Sequence, residues 1–245
     1  MTAVSNSNQF LDTFAEVENW LRRHLSVSND ITFSKMVTHA SGSNRVIRRY
    51  ADDLREYAEL RNAIVHDRSG GRVIAEPHLT AVRDFQQIAA NLTNPPKLIP
   101  KFQLHVKTRE ISDSVGAAVS DMRAGAFSQI PVTRDGSVHA VLTAETVARW
   151  LASELKNEIV SLKETAIERV LLHTEESDHY CYLSHDQTMF DAIDAFEHYA
   201  SAGKSLDAIL ISHGGQQKNK LLGIVTLFDL PQLLNEIGLK KISAT

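Results

Sequence analysis

Through roughly the first hundred residues, apolar side chains recur every three or four positions, the spacing of one face of an α-helix. The pattern predicts a helix within 9–25, a long helix from about Arg45 and a last helix opened by Pro77. Residues 1–97 are therefore predicted to form an all-helical bundle of about four helices. The core is expected to contain Phe10, Phe14, Val17, Leu21, Ile47, Tyr50, Leu54, Tyr57, Ile64, Val82, Phe85, Ile88 and Leu92.

The pattern changes after a proline-rich stretch, TNPPKLIPK at 93–101, because proline stops the preceding helix and stiffens the connection. Beyond it, two segments with the order strand, strand, helix are each preceded by a helical pattern. This internal repeat predicts an α+β chain with domains at 1–97 and 98–245 and repeats at about 98–155 and about 160–240. The segments are SQIPVTRDGSVHAVLTAETVARWL (128–151) and LDAILISHGGQQKNKLLGIVTLFDLPQLL (206–234).

The run LLGIVTLFDL at 221–230 carries the candidate chemistry of the second repeat. Its apolar part predicts a strand buried on both faces, and Gly223 inside it indicates that another group approaches the backbone closely. Thr226 and Asp229 follow at the start of a predicted helix, where a hydroxyl can contact a phosphate and a carboxylate can accept hydrogen bonds from a ribose diol. The simpler alternative is that Thr226 is an N-cap and Asp229 completes the first helical turn.

The repeated unit resembles the cystathionine-beta-synthase (CBS) domain, which occurs in tandem pairs, in the phrases "SQIPV…DG…VLT" and "AILIS…LLGIVTLFDL". The resemblance covers about 98–239 and implies a pair of helix-strand-strand-helix repeats packed as a flat disc. In that family the clefts of the disc commonly bind adenine nucleotides, a threonine or serine contacts phosphate, and an aspartate three residues later holds the ribose. Carried onto this chain, the resemblance implies nucleotide-binding roles for Gly223, Thr226, Asp229 and Thr143.

The first repeat departs from the family pattern. Thr143 matches Thr226, 83 positions later, but Thr146 occupies the aspartate position and Ala140 replaces the glycine. Glu145 is acidic but lies one residue out of register, about 100° round the helix. We therefore expect one intact ribose site, and a first cleft that binds more weakly or stays empty.

A second motif, LRNAIVHD at 60–67, lies on the long helix of the N-terminal half. On a regular helix Asn62 and His66 share one side, while a histidine can move a proton and the Arg61 guanidinium can hold a phosphate. The residues resemble the active-site signature of the HEPN superfamily, helical bundles that dimerise and include many metal-independent ribonucleases. The resemblance implies Arg61, Asn62 and His66 as catalytic residues. Alternatively, the three residues hold a helix end or a dimer seam without chemistry.

Charge and composition restrict the kinds of molecule that this chain is expected to bind. Hydrophobic residues make up 43% of the 245 residues, charged residues 23%, and the net charge is −4. Residues 1–97 contain 12 Lys/Arg and 11 Asp/Glu, so the helical half has no basic excess to favour RNA binding. The single Cys181, with His173, His179 and His185 around it, does not match a zinc-site spacing. No membrane-length apolar run or signal-peptide pattern occurs, so a cytoplasmic location is expected.

Together these observations predict a regulatory or sensor protein, a homodimer, that binds an adenine nucleotide (AMP, ADP or ATP) through its repeat pair without a metal. Binding is expected to change what the helical domain does. One alternative is a metal-independent ribonuclease gated by nucleotide, and another is an oligomerisation scaffold with empty clefts. Cyclic nucleotides and S-adenosylmethionine also carry the ribose that the motif would recognise.

Overall fold

The computed structural model describes residues 5–65, 75–155, 159–175 and 180–238. The chain divides into two compact units, of which the first consists of Met1–Pro96 and Leu234–Thr245 and the second of Lys97–Leu233. The first unit is helical within its described residues, and the second mixes helices with two small sheets. The predicted α+β class is therefore confirmed.

The predicted long helix of the first unit is broken at Tyr50. Its backbone leaves the helical region (φ −102°, ψ 14°), and its carbonyl then accepts a hydrogen bond from Leu54 N at 2.9 Å, which begins the next helix. Ile47 and Leu54 lie on different helices, and both are fully buried. Described helices of this unit are α1 (Asn6–Leu25), α2 (Phe33–Ser41), α3 (Arg45–Arg49), α4 (Ala51–Val65) and α5 (Leu79–Thr93).

Aromatic side chains form the centre of the helical core. The rings of Phe10 and Phe85 have centroids 5.0 Å apart, and Tyr57 lies 4.6 Å from Phe85. Phe14 and Phe33 make a further pair at 4.6 Å. Each large side chain removed from water in this way contributes about 1.5–3 kcal/mol. The predicted core positions are buried here, except that Tyr57 is only half-buried.

The second unit contains two three-stranded sheets with the same internal order. In each sheet a leading strand pairs in parallel with the first strand of a hairpin, and the two hairpin strands pair antiparallel. The repeat is therefore strand, helix, strand, strand, helix, and the sequence analysis missed its leading strand. The elements are β1 (Arg109–Glu110), α6 (Val115–Gly125), β2 (Gln129–Arg134), β3 (Ser137–Thr143), α7 (Ala144–Ser153), α8 (Ile167–Leu171), β4 (Tyr180–Ser184), α9 (Met189–Ser201), β5 (Ala208–Ser212), β6 (Leu221–Val225) and α10 (Leu230–Glu236).

Strand β6 is not buried on both faces, which corrects the prediction made for it. It is an edge strand in the order β4-β5-β6, and Leu221, Leu222 and Ile224 are only partly buried. The central strand β5 is buried along its whole length. A central strand has neighbours on both sides, whereas an edge strand keeps one side open.

The connection that leads into each repeat is hydrogen-bonded to the other repeat. Leu98, which lies in the connection before β1, donates its amide to the carbonyl of Gln187 in the second repeat at 3.0 Å. Val115 in the first repeat donates its amide to the carbonyl of Thr165, which lies in the connection before β4, at 2.9 Å. Neither repeat is therefore completed by its own segment of chain.

The residues from Leu234 onwards, which include the second half of α10, belong to the first unit, although the sequence analysis assigned residues up to about 240 to the second repeat. The Tyr50 hydroxyl donates to the carbonyl oxygen of Ile237 at 2.9 Å, and Asn91 Nδ2 donates to the same oxygen at 2.8 Å. Asn91 Nδ2 also donates to the Tyr50 hydroxyl at 2.8 Å. Gly238 follows with a φ of +75°, a conformation that favours glycine.

Candidate functional site

A cavity of about 830 Å³ lies within the second unit, between elements of its two repeats. The first repeat contributes residues of α6, β2 and α7, and the second repeat contributes the end of β6 and the turn that follows it. Most of the wall is apolar, and Val119, Val147 and Ile224 are among the residues that form it. Such a volume and lining are typical of sites for small organic molecules.

Thr226 and Asp229 both line this cavity, and they are hydrogen-bonded to each other. The amide and the hydroxyl of Thr226 donate to Oδ2 of Asp229, at 2.8 and 3.0 Å. The simpler alternative from the sequence, a capped helical turn, is therefore present. Among the described residues, the other carboxylate oxygen, Oδ1 of Asp229, has no hydrogen-bond partner. The turn can therefore be capped and still offer an acceptor to a ligand.

Gly223 lies against the chain's own backbone. A Cβ at this position would collide with the carbonyl oxygen of Phe102, in the connection before β1. Next to it, Leu104 donates its amide to the carbonyl of Leu222 at 3.1 Å, and the Leu104 side chain lines the cavity. The close approach predicted at Gly223 is confirmed, and the approaching group is protein backbone.

In the first repeat, the residue equivalent to Asp229 is buried and hydrogen-bonded to its neighbours. Thr146 is fully buried, and its hydroxyl lies 2.9 Å from the hydroxyl of Thr143. Arg149 Nη2 donates to the Thr146 hydroxyl at 3.3 Å, and Arg149 Nε donates to the carbonyl of His173 at 3.0 Å. A guanidinium therefore occupies the neighbourhood of the hydroxyl pair, a feature that the sequence analysis did not find.

Thr143 itself is the N-cap of α7 and accepts a hydrogen bond from the amide of Thr146 at 3.0 Å. It lines a smaller space of about 270 Å³ together with Glu145. Ala140 pairs with Val132 in the ladder of β2 and β3. Thr143 and Thr226 thus have the same local role at the starts of their helices, but only Thr226 lines the larger cavity.

The motif of the helical unit is described only in part, because His66 lies outside the described residues. Arg61 Nη1 donates to Oδ1 of Asn62 at 3.3 Å, and the Arg61 guanidinium lies 5.8 Å from the centre of the Phe14 ring. Cation–π contacts of this kind are found at ordinary structural positions. The described geometry of Arg61 and Asn62 is therefore accounted for by contacts within the bundle.

Phe228 and Arg123 are among the cavity residues that the sequence analysis missed. Phe228 lines the cavity although the residue is 85% exposed, and Arg123 of α6 adds a cation to the wall. The signal for Phe228 was an aromatic residue between Thr226 and Asp229, in a turn where polar residues are usual. No periodic pattern marks Arg123, because its place in the wall depends on tertiary packing.

Neither metal-binding nor membrane-spanning features occur in the described part of the chain. No group of three or more His, Cys, Asp or Glu side chains there could hold a metal ion. No helix there is long and apolar enough to cross a bilayer. Burial raises the pKa of the Cys181 thiol to about 11, so the thiol is protonated at neutral pH.

No protein-family profile and no curated protein matches this chain. Among solved structures, the chain is similar to a protein with CBS domains from Burkholderia ambifaria, with 17% identity over 58% of this chain and 90% of that one and a TM-score of 0.41. It is similar to a CBS domain pair crystallised with 5′-methylthioadenosine and S-adenosyl-L-methionine, with 14% identity over 58% of this chain and 97% of that one and a TM-score of 0.43.

A CBS-domain-containing protein from Kribbella flavida is also similar, with 16% identity over 55% of this chain and 96% of that one and a TM-score of 0.41. These solved structures cover the C-terminal part of the chain.

Proposed function

We propose that the second unit is a regulatory module that binds an adenine nucleotide in the cavity between its repeats. The observation that carries this proposal is the presence of Thr226 and Asp229 in the wall of an otherwise mostly apolar cavity of about 830 Å³. An apolar wall suits a purine ring, while a hydroxyl and a carboxylate at one edge suit a ribose phosphate. AMP, ADP and ATP are the proposed ligands, and no metal is needed for their binding.

The polar groups of the wall divide between the two ends of such a ligand. The Asp229 carboxylate accepts hydrogen bonds from the ribose hydroxyls through Oδ1, and the Arg123 guanidinium contacts phosphate. The Thr226 hydroxyl can also donate to phosphate when its proton turns away from Asp229 Oδ2. The exposed ring of Phe228 offers a face for stacking on the base. A ligand that fills the cavity contacts both repeats, so binding favours the arrangement in which the two repeats are closed around it.

In this proposal the protein acts in the cytoplasm as a homodimer, and the helical first unit responds to the nucleotide. A regulatory role requires only that the ligand binds one state of the protein more tightly than another. Catalysis is not part of the proposal, because the described contacts of Arg61 and Asn62 are explained by packing and mutual hydrogen bonding.

The test is a calorimetric titration of the full chain with AMP, ADP, ATP, S-adenosylmethionine and, as a control without a nucleoside, inorganic phosphate. The blocking variant is Ala148→Trp, because Ala148 is exposed and lines the cavity. Its matched control is Ala152→Trp, one turn further along α7 and outside the cavity wall. We expect binding of at least one adenine nucleotide by wild type and by Ala152→Trp, and its loss in Ala148→Trp. Equal binding by all three proteins would refute the site.

A further inference from the structure

A short segment of the second unit, residues 104–108, lies against two cavities, and we call it the strap. Leu104 belongs to the wall of the cavity in which the ligand is proposed to bind. A second space of about 830 Å³ is lined by Leu104, His105, Val106 and Thr108, among other residues. Because Leu104 belongs to both walls, the position of the strap sets the boundary between the two spaces.

The backbone of the strap is held at few points. At its start, Leu104 donates its amide to the carbonyl of Leu222 at 3.1 Å. The backbone groups of His105 and Val106 make no hydrogen bond with any residue that the structure describes. Beyond the strap, β1 joins its sheet through only two residues. The position of the strap therefore depends on contacts other than backbone pairing.

A buried carboxylate of α6 provides these contacts. Oδ2 of Asp121 accepts hydrogen bonds from Nε and Nη2 of Arg109, at 2.6 and 2.5 Å, and Oδ1 lies 2.7 Å from Nζ of Lys107. The Lys107 ammonium and the Arg109 guanidinium lower the pKa of Asp121, so the carboxylate is charged at neutral pH. Two-pronged contacts of arginine with a carboxylate fix geometry as well as contributing energy. Asp121 therefore holds both the strap, through Lys107, and the residue that follows it.

This arrangement is not repeated in the second repeat. Asp121 comes seven residues after Ser114, the N-cap of α6. The residue seven positions after Thr188, the N-cap of α9, is Ala195, which has no charged group to offer. The carboxylate is thus specific to the repeat whose leading segment lines the proposed ligand cavity.

From this geometry we propose that Asp121 is a positioning residue for the ligand cavity. It is not in the cavity wall, but it fastens the strap to α6, and Met122 and Arg123 of the same helix line the cavity. The separation between this helix and Leu104 is therefore set by one carboxylate. The effect on a ligand rests on the function proposed above, whereas the fastening of the strap does not. Without Asp121, the strap leaves its place more often, and a bound ligand escapes faster.

The primary test needs no ligand. Hydrogen–deuterium exchange of the full chain, resolved by NMR, follows the Leu104 amide, which donates to the Leu222 carbonyl. The matched control for Asp121→Ala is Glu154→Ala, because Glu154 pairs with Arg169 at 2.6 Å and its side chain is 12% exposed, against 11% for Asp121. We expect about tenfold faster exchange at Leu104 in Asp121→Ala, the effect of losing hydrogen bonds to a charged group, and no change in Glu154→Ala.

A purely global loss of stability is distinguished by the amides of β5, the central strand of the other sheet. The proposal requires that exchange at Leu104 accelerates more than exchange in β5, whereas equal acceleration at both places would overturn it. Lys107→Met is the second variant, since the Lys107 side chain is more than half exposed and its removal leaves the fold intact. We expect about threefold faster exchange at Leu104 in this variant. Wild-type exchange there in Lys107→Met would overturn the fastening, even if Asp121→Ala did not fold.

The rate at which AMP dissociates from the same proteins separates the two proposals. If no adenine ligand binds wild type, the proposed function fails, and the exchange experiment still decides the fastening. If wild type binds AMP, we expect about fivefold faster dissociation from Asp121→Ala and an unchanged rate for Glu154→Ala. An unchanged rate for Asp121→Ala would overturn the positioning role and leave the nucleotide site intact.

Discussion

The amide and the hydroxyl of Thr188 both donate to Oδ2 of Asp191, each at 2.7 Å. The start of α9 therefore repeats the arrangement of Thr226 with Asp229, in the same repeat but outside the wall of the large cavity. The chain thus contains one Thr-x-x-Asp turn that lines the cavity and a second that serves as a control for the structural contribution of the first.

Asp229→Ala is expected to weaken adenine nucleotide binding by about 2 kcal/mol, or about thirtyfold, because hydrogen bonds from the ribose to a charged acceptor are lost. Asp191→Ala removes an equivalent helix cap and is expected to leave the affinity unchanged. Both variants should lose about 1 kcal/mol of stability through the missing cap. Calorimetric titration and thermal unfolding of the two proteins measure these effects. Equal loss of affinity in both would show that Asp229 acts only through the fold.

We expect one nucleotide per chain. Thr146 of the first repeat is fully buried and hydrogen-bonded, and the Arg149 guanidinium lies against it, so a ribose has no carboxylate and little space there. The stoichiometry of a titration at protein concentrations well above the dissociation constant measures this directly. Two equal sites per chain would contradict the asymmetry between the repeats.

Gly223→Ala is expected to destabilise the protein by about 1–3 kcal/mol, because its Cβ would overlap the carbonyl oxygen of Phe102 and backbone must shift. Gly42→Ala is the matched control, since Gly42 has an ordinary helical φ of −66° and a Cβ there would meet only an atom at 3.5 Å. Urea denaturation compares the two variants with wild type. The same midpoint for Gly223→Ala and Gly42→Ala would argue against a tight contact at Phe102.

Ionisation of the buried Tyr50 hydroxyl should measurably lower the free energy of unfolding at alkaline pH. Burial raises its pKa from 10.0 to about 12, so its contribution is complete below pH 10 and is lost as the pH rises from 10 towards 12. The free energy of unfolding should therefore fall by about 1.3 kcal/mol through this group between pH 8 and pH 11. Tyr50→Phe lacks the group, so the stability difference between wild type and variant should shrink by that amount. Denaturant titrations at both pH values test this, and a constant difference would contradict it.

Purified protein is expected not to cleave generic single-stranded RNA without metal, with or without adenine nucleotide. Residues 1–97 have a nearly balanced charge, which disfavours tight RNA binding at physiological salt. The assay compares wild type with His66→Ala, because a general acid or base typically supplies about 10²–10⁴-fold. Cleavage by wild type that disappears in the variant would instead support the nucleotide-gated ribonuclease.

The sequence predicted best those features that local patterns encode. The strand-strand order predicted for 128–151 is an example, since β2 and β3 pair antiparallel and the residues between them, Asp135 and Gly136, adopt positive φ values, 53° and 77°, as a tight hairpin requires. The helical faces and the repeat were likewise predicted from periodicity. Strand β1 was missed because it has only two residues, both charged, and is defined by its pairing with β2.

The sequence predicted site residues only where these residues belong to a recognisable motif. Thr226 and Asp229 do line a cavity, but their roles as ligands stay a prediction, as do those of Thr143 and Gly223. The closing of the first repeat by Arg149 could not be predicted, because it depends on a contact with the carbonyl of His173, 24 positions away. The membership of Ile237 in the helical unit likewise depends on contacts with Tyr50 and Asn91, far away in sequence.

Because of the crossed connections, each repeat depends on backbone hydrogen bonds to the other. Since Leu98 pairs with Gln187 and Val115 pairs with Thr165, a truncation placed between the repeats removes a backbone partner from both halves at once. A fragment that ends near residue 155 would expose unpaired backbone on the repeat that it keeps. Gain or loss of a whole repeat is therefore not a neutral evolutionary step for this chain, and a premature stop codon between the repeats is expected to abolish both.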